Sequence, residues 1–383
     1  MKTLTASAAL AGAVLLAGAS TLSADTLRFA YGHPPGSYFD IGANAFADAV
    51  AENSGGDLKV RTFPLSLLNL METSDGIATG LADIGALMTT LFPKEYPHTN
   101  LAMETAMILL QDDGLSQDMQ GVLYGAAMTD FILNDCPQCT AEFAARNSVF
   151  TAGAASTPYS LNCTEPHVEL SDMKDARMRI SGAYWARWSQ AVGASPVTVS
   201  GNEMLEALSQ GVIDCVILSV PDVFNFGMGD LVSDITTGVP GGIYVASYAQ
   251  MNRDSWAGLS PENREALMRA AATGAAEISM KYENGLRDLK AKSAAGEIKA
   301  KFHTAAPSLT EATRAFVDED IKTVVSYYAD TYGISRGDEL VDAMRARVEE
   351  WSGHLDGVTT PEQVATLYWD QILSEIDLAS YGQ

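Results

Sequence analysis

The segment 170–218 constrains the fold of this chain more than any other segment. It alternates short apolar runs with helical patterns, which predict in order strand 177–180, helix 184–192, strand 196–199, helix 203–210 and strand 213–218. Strands that alternate with helices predict a mostly parallel sheet with crossover connections. Arg179 stands near the end of the first of these strands, close to a helix start. A guanidinium in that place is suited to hold a carboxylate.

The same alternation occurs elsewhere in the chain. Further strands are predicted at 26–31, 58–63, 82–87, 148–152 and 243–248, with helices at 41–54 and 71–79. In parallel sheets, ligands bind beyond the carboxyl ends of the strands. The residues at those ends are Tyr31, His33, Pro64, Ser66, Met88 and Thr89.

The last third of the chain has a different pattern. Apolar residues recur with helical spacing over 261–301, 308–335, 339–352 and 361–379. The chain has 383 residues, more than one hydrophobic core usually serves, so two lobes are expected. We predict two α/β lobes with helices that wrap around both.

The N-terminus has the features of a secretory signal. Lys2 supplies a positive charge, residues 8–19 are apolar or small, and Leu22–Ala24 offers small residues for cleavage. We place cleavage after Ala24, so residues 1–24 are predicted to be removed. A retained anchor is disfavoured because the apolar run is shorter than the roughly 20 residues that span a bilayer.

The charge of the chain limits its partners. The formal net charge is −24, which argues against nucleic acid and anionic membrane surfaces. An anionic small molecule is still compatible with this charge if positive groups line a cleft.

The four cysteines indicate structure rather than chemistry. Cys136 and Cys139 have the spacing of a redox motif or of half a zinc site, but no second pair with metal-ligand spacing follows. In an exported chain this spacing favours a local disulfide over redox catalysis. Cys163 and Cys215 are either paired or free. We predict no metal site.

No enzyme motif stands out. The five histidines are scattered, and the chain contains no nucleophile elbow, P-loop or dinucleotide-binding glycine pattern. His33, beside two prolines, is the best isolated candidate for chemistry, although it also fits a loop histidine or a donor to a bound acid. We predict a protein without enzymatic activity and without a cofactor.

An ordered set of motifs resembles a known family. The motifs are Leu58–Pro64, Gly80–Gly85, Ser171–Arg179, Gly193–Pro196, Ala207–Asp214, Met251–Trp256 and Leu259–Pro261. Their order and spacing, over roughly residues 26 to 290, resemble the DctP-type solute-binding proteins of TRAP transporters. The resemblance implies a periplasmic receptor that closes on an organic acid and delivers it to membrane permease subunits.

The resemblance also implies an architecture of the periplasmic-binding-protein type. Lobe I is expected over 25–150, with 238–260 returning to it, and lobe II over 151–237. Residues 261–383 are expected to form a lobe-spanning helix and a C-terminal helical tail. The family holds the ligand carboxylate with an arginine that matches Arg179. Without the resemblance, a surface ion pair of Arg179 with Asp172 or Asp175 is the better interpretation.

This chain departs from the family at two places. The polar run that often follows the strand aspartate is replaced after Asp214 by Cys215–Ser219, and a second arginine is missing near Pro158 and Tyr159. Each unpaired buried polar group costs about 1–3 kcal/mol, so a pocket with fewer polar groups suits a ligand with fewer polar ends. We therefore expect a monocarboxylate with an apolar or aromatic body.

The predicted ligand-binding residues combine the arginine with candidate walls of the pocket. They are Arg179, Tyr31, His33, Phe39, Tyr184, Ser219 and Phe224, with Trp185 and Phe226 as further aromatic candidates. Each aromatic residue is also compatible with a place in the core. The alternatives are a receptor for a C4-dicarboxylate or other hydroxy or keto acid, an exported hydrolase or lyase for organic acids, and a ligand-sensing subunit of a membrane kinase.

Overall fold

The computed structural model describes residues 25–110 and 118–383. The predicted signal segment, 1–24, lies outside the described residues.

The described residues contain both strands and helices. The strands are β1 (Asp25–Tyr31), β2 (Leu58–Pro64), β3 (Ile84–Leu87), β4 (Ser148–Val149), β5 (Ala152–Ala155), β6 (Tyr159–Cys163), β7 (Arg177–Ile180), β8 (Ser195–Thr198), β9 (Cys215–Ser219), β10 (Asp234–Pro240), β11 (Val245–Asn252) and β12 (Lys301–Thr304). The helices are α1 (Tyr38–Asn53), α2 (Thr73–Ala78), α3 (Pro97–Glu104), α4 (Gln120–Asp130), α5 (Pro137–Ala145), α6 (Ala183–Ala191), α7 (Met204–Ser209), α8 (Val220–Asn225), α9 (Arg253–Ala257), α10 (Pro261–Ala294), α11 (Pro307–Tyr332), α12 (Gly337–His354) and α13 (Pro361–Gln371). Short 3-10 segments include Thr89–Leu91, Thr105–Leu110 and Leu170–Met173.

The strands form two mixed sheets. The first has the order β2-β1-β3-β11-β4, and β5 also pairs with β11; the second has the order β12-β10-β6-β9-β7-β8. In the first sheet β1 is parallel to β2 and β3, whereas β11 is antiparallel to β3. In the second, β7 is parallel to β8 and β9. The predicted two-lobed α/β fold is confirmed.

Each sheet has its own hydrophobic core. All five residues of β9 are buried, as expected for a strand that is covered on both faces by helices. The first core includes Phe29, Phe46 and Tyr248, and the second includes Trp185 and Trp188. Two cores are expected, because a chain of this length exceeds what one hydrophobic core usually serves.

The long helix α10 belongs to both cores. It begins after Ser260, whose hydroxyl accepts a hydrogen bond from the Asn263 backbone N–H, and Pro261 occupies its first turn. Its 34 residues extend over about 50 Å at 1.5 Å per residue. Leu267 and Tyr282 pack in the first core, and Leu289 packs in the second. The helix therefore connects the two lobes.

Two short segments also pass between the sheets. Residues 156–158 lead from β5 to β6, and residues 241–244 lead from β10 to β11. We call these the crossing segments. They lie side by side, because the Ser156 N–H donates to the Tyr244 carbonyl over 3.0 Å and the Tyr159 N–H donates to the Gly242 carbonyl over 2.9 Å. Any movement of one lobe relative to the other must therefore involve both.

The C-terminal residues complete the first lobe. α13 packs on α10. Beyond it, the Tyr381 carbonyl accepts a hydrogen bond from the Trp256 indole N–H at 2.8 Å, and the Tyr381 hydroxyl donates to the Phe150 carbonyl at 2.8 Å. The end of the chain is thereby fixed to β11 and its neighbours.

Several elements were not predicted from the sequence. Helices α3 to α5 and strands β6, β10 and β12 had no clear pattern, and the predicted strand 148–152 is divided into β4 and β5. β5 lies in the first sheet, beyond the predicted end of lobe I at residue 150, whereas β11 joins that sheet within the segment 238–260. The lobe boundaries stay a prediction.

The cysteines form two disulfides in this structure. Cys136 is bonded to Cys139 at the start of α5, and Cys163 is bonded to Cys215 between the neighbouring strands β6 and β9. His167 lies close to the second pair, but the bonded sulfurs are not thiolates and offer no metal ligand.

An ion-pair cluster joins α6 of the second lobe to α3 of the first. The Arg187 guanidinium donates to Glu104 over 2.6 Å and to Asp320 of α11 over 2.6 Å. Burial raises the pKa of Glu104, and the charge of Arg187 acts in the opposite direction. The positive charge of Arg187 thus compensates the negative charges of Glu104 and Asp320.

Replacement of Arg187 should destabilise the protein markedly. Arg187→Ala leaves two largely buried carboxylates without their cation, a loss that typically costs about 3 kcal/mol or more. Urea unfolding followed by circular dichroism measures the change. The control is Arg336→Ala, which removes an exposed pair with Glu339 and should cost less than about 1 kcal/mol. Equal effects of the two variants would contradict the proposed role of the cluster.

Candidate functional site

Arg179 is a buried cation without an anionic partner. It is the third residue of β7, where it lies beside Val197 of β8 and Val216 of β9. Only 9% of its surface is exposed. Its Nε donates to the Val199 carbonyl over 3.1 Å, and a terminal nitrogen donates to the Ser181 hydroxyl. No Asp or Glu among the described residues forms an ion pair with it.

The alternative interpretation of Arg179 as half of a surface ion pair is wrong. Asp172 accepts hydrogen bonds from the Val168 and Glu169 backbone N–H groups, and neither Asp172 nor Asp175 is paired with Arg179. Burial lowers the pKa of Arg179, yet an arginine stays charged at any physiological pH. A charge taken out of water needs a counter-charge, and a bound anion would supply it.

Burial lowers the pKa of Arg179, and three neighbouring side chains raise it: Tyr159, Tyr244 and Asp222. We call these four residues the arginine cluster. Tyr159 begins β6 and stacks on the Trp185 ring, with centroids 4.4 Å apart. The Tyr244 hydroxyl shares a hydrogen bond of 2.7 Å with the Thr90 hydroxyl. Thr90 follows β3, so this bond brings the first lobe to the cluster.

Asp222 acts on Arg179 through space but forms no ion pair with it, because three neutral donors hold its carboxylate. The Ser219 and Tyr282 hydroxyls donate to it at 2.6 and 2.8 Å, and the Asn225 amide donates at 3.1 Å. Burial raises the pKa of Asp222. Ser219, a predicted ligand contact, therefore directs its hydroxyl proton to Asp222 and caps α8.

Partly buried apolar side chains pack on the second core, and those of Val197 and Val199 belong to residues next to Arg179. The half-buried residues at the edge of the second core are Ile180, Val197, Val199, Phe224, Phe226 and Tyr244, among others. A Cβ atom added at Gly201 would lie 3.9 Å from the Phe226 ring. Gly201 follows shortly after Val199, whose carbonyl accepts a hydrogen bond from Arg179. Of the predicted aromatic residues, Phe224 and Phe226 are the two that keep a partly accessible face on this lobe.

Tyr31, His33 and Phe39 come together in the first lobe. The His33 ring stacks on Phe39 with centroids 4.3 Å apart and planes at 6°, and Tyr31 contacts Phe39 at 5.3 Å. The Tyr31 hydroxyl donates to Asp40 over 2.5 Å and is thus occupied. His33 Nδ1 is buried and has no hydrogen-bond partner among the described residues. His33 follows the carboxyl end of β1, as Thr90 follows that of the adjacent β3.

Tyr184 lies where the crossing segments meet α6. Its hydroxyl is buried, and no residue in the described part of the chain forms a hydrogen bond with it. A side chain at Gly242 would approach this hydroxyl to 1.9 Å, and Gly242 has φ of 76°, so only glycine fits here. Tyr184 therefore packs against the crossing segment 241–244 rather than at the open surface.

A cavity of about 90 Å³ lies between the first lobe, α6 and α11. Its lining residues are Thr90, Pro93, Asn100, Met103, Glu104, Gly182, Ala183, Tyr184, Trp185, Tyr327, Tyr328 and Tyr332. That volume holds about three water molecules, far less than the roughly 300 Å³ of a typical ligand pocket. The cavity is therefore part of the boundary between the lobes and not a complete ligand site.

Sequence reasoning missed Tyr159, Tyr244, Asp222 and Thr90. Tyr159 stands in the region where the resemblance led us to expect a second arginine. That departure from the family was the only feature of the sequence that pointed to Tyr159. Tyr244 directly follows Gly241, Gly242 and Ile243. A glycine pair before a strand indicates a close backbone approach, but it does not show what the next aromatic residue contacts.

Comparison with protein families settles the family of the chain. The model of the bacterial extracellular solute-binding proteins, family 7 (DctP), matches residues 29–328. The chain belongs to this family. The resemblance to DctP-type solute-binding proteins that the motifs indicated is therefore confirmed. These are extracellular proteins, periplasmic in bacteria, and in the described part of this family 7 protein no helix has the length and apolarity to cross a membrane.

Solved structures share the fold of this family 7 protein. An extracytoplasmic solute receptor of Bordetella pertussis that binds pyroglutamic acid is 22% identical, with a TM-score of 0.69, over 84% of this chain and 100% of that one. A marine metagenome TRAP solute-binding protein specific for aromatic acid ligands is 17% identical, with a TM-score of 0.70, over 85% and 99%. A Bordetella bronchiseptica protein with bound mandelate is 19% identical, with a TM-score of 0.67, over 85% and 99%.

The state of His33 should make the stability of the protein depend on pH. Burial lowers the pKa of His33 to about 4, from about 6.5 in an unfolded chain. Between these values the unfolded state binds more protons, so stability falls as the pH is lowered from about 6.5 to 4, by about 3 kcal/mol in total. Urea unfolding at pH 7 and at pH 4 should show a smaller loss for His33→Gln than for the wild type. Identical losses would exclude a neutral buried His33.

Proposed function

We propose that this protein is the periplasmic receptor of a TRAP transporter and captures an organic acid by its carboxylate at Arg179. The observation that carries the proposal is the burial of the Arg179 guanidinium with no carboxylate partner among the described residues. A ligand carboxylate would complete the charge pair, and lobes that close on it would exclude water and strengthen the bond.

We further propose a ligand with one carboxylate and an apolar or aromatic body. The half-buried apolar side chains beside Arg179 support this choice. Among the described residues, no second cation acts on the pKa of Arg179, and burial keeps His33 neutral near pH 7. A dicarboxylate would leave its second charge without a partner in this environment.

The protein binds its ligand without transforming it, and membrane permease subunits receive the acid. In support of binding alone, Ser219, whose hydroxyl donates to the Asp222 carboxylate, is fully buried and caps α8, so it is not presented to a substrate as a nucleophile. The other hydroxyl, that of Ser181, accepts a hydrogen bond from Arg179. Chromatography of the acid after long incubation with the protein should return it unchanged; the appearance of a product would identify an enzyme instead.

A thermal-shift panel should identify the ligand class. We expect (R)-mandelate and 3-hydroxybenzoate to raise the melting temperature, because a ligand that binds only the folded state stabilises it by about 2.7 kcal/mol at a hundredfold excess over Kd. Succinate, pyroglutamate and D-glucuronate should have smaller effects. If succinate raises the melting temperature and the aromatic monocarboxylates do not, the ligand is a dicarboxylate.

Arg179→Ala should abolish binding of the acid selected by this panel. The loss of a charge-assisted pair in a buried site costs several kcal/mol, and Lys does not reproduce the paired donors, so Arg179→Lys should also bind weakly. The control is Arg177→Ala on the same strand, since Arg177 is exposed and already paired with Asp214. Isothermal titration calorimetry with undiminished affinity in Arg179→Ala would refute the site.

A further inference from the structure

Tyr244 stands where the two lobes and a crossing segment meet. It ends the crossing segment 241–244, and its backbone carbonyl accepts a hydrogen bond from Ser156 of the other crossing segment. Its side chain is half-buried, so part of it remains accessible. Its hydroxyl is 2.7 Å from the Thr90 hydroxyl of the first lobe. Thr90 lines the same cavity as Gly182, which directly follows Ser181, the residue whose hydroxyl accepts a hydrogen bond from Arg179 of the second lobe. Tyr244 also acts on the pKa of Arg179.

The proton of the Tyr244 hydroxyl has few acceptors in the described structure. Arg179 carries only donors, and the carboxylate of Asp222 already accepts from Ser219, Asn225 and Tyr282. The Thr90 hydroxyl is the acceptor that remains. Either hydroxyl of this pair is able to donate, so the direction of the bond depends on what lies beside Tyr244.

A carboxylate bound at Arg179 would set that direction. Thr90 would then donate to the Tyr244 oxygen, and Tyr244 would donate its own proton to the stronger, charged acceptor. Burial raises the pKa of Tyr244, so the hydroxyl is protonated and able to donate throughout the physiological pH range.

We propose that Tyr244 is a specificity-determining residue that donates a hydrogen bond to the ligand carboxylate held by Arg179, with Thr90 as the residue that positions its hydroxyl. This inference rests on the proposed function. It means that the ligand carboxylate connects the second lobe, a crossing segment and the first lobe at one point. A ligand without a carboxylate gives Tyr244 no charged acceptor, so the contact selects for acids and for the closed arrangement together.

The test is a titration of four variants with 3-hydroxybenzoate and with (R)-mandelate by isothermal titration calorimetry. Tyr244→Phe removes only the hydroxyl and should weaken binding about 10-fold to 100-fold, the usual range for a hydrogen bond to a charged group. Thr90→Val should weaken binding less, about 3-fold to 10-fold, and Thr90→Ser should restore wild-type affinity because it restores the hydroxyl.

The matched control is Tyr248→Phe. Tyr248 lies on the adjoining strand β11, is buried in the first core, and donates to the Gly42 carbonyl at 3.2 Å, away from the arginine cluster. Its loss should lower the melting temperature without a change in affinity. Thermal melts of the ligand-free variants verify that each one is folded before titration.

The outcomes separate this inference from the proposed function. If the wild type binds neither acid, the proposed ligand class fails and this inference fails with it. If Arg179→Ala abolishes binding while Tyr244→Phe stays within about 2-fold of the wild type, the function stands and the role of Tyr244 is wrong. Equal weakening in Tyr244→Phe and Tyr248→Phe would also overturn it, because the effect would then come from the packing of the lobe boundary.

Discussion

The charge of Arg179 is the constraint on which the rest of the site depends. A guanidinium that is nine-tenths removed from water carries a large desolvation cost, and the described residues give it a carbonyl and a hydroxyl but no anion. The neighbouring Asp222 has the required charge, yet three donors already hold its carboxylate. The proposed ligand carboxylate would supply the anion that the described residues do not, beside Tyr159 and Tyr244.

The lobes supply different parts of this arrangement. The second sheet positions Arg179 at the end of β7, with β8 and β9 on either side. The first lobe contributes Thr90, and the crossing segment contributes Tyr244. At the lobe boundary, Arg187 of α6 connects Glu104 of α3 with Asp320 of α11. Charged groups thus hold the lobes together there, whereas Arg179 forms no ion pair with the described residues.

The sequence revealed the fold better than it revealed the site. Alternation of buried strands and amphipathic helices is a local signal, so β1, β2, β7 and α1 were predicted within a few residues. The start of α10 was also predicted, but the helix ends at Ala294 and not at residue 301, where β12 begins. β10 and β12 were missed because their residues alternate polar and apolar side chains weakly, and their place depends on pairing with each other. Arg179 was found through its motif. The crossing segment 241–244 positions Tyr244, and α8 positions Asp222. Both contact residues that are distant in sequence, and such contacts leave no local pattern.

The contacts of the last residues have a consequence for the order of folding. The first core needs β11 and α10, and the end of the chain is fixed by Tyr381 to Trp256 and to Phe150, which lies more than two hundred residues earlier. Contacts between such distant residues form slowly, because a long loop must close before they contribute. The contacts of Tyr381 with Trp256 and Phe150 thus form only after that residue has been synthesised, long after β4 and β5.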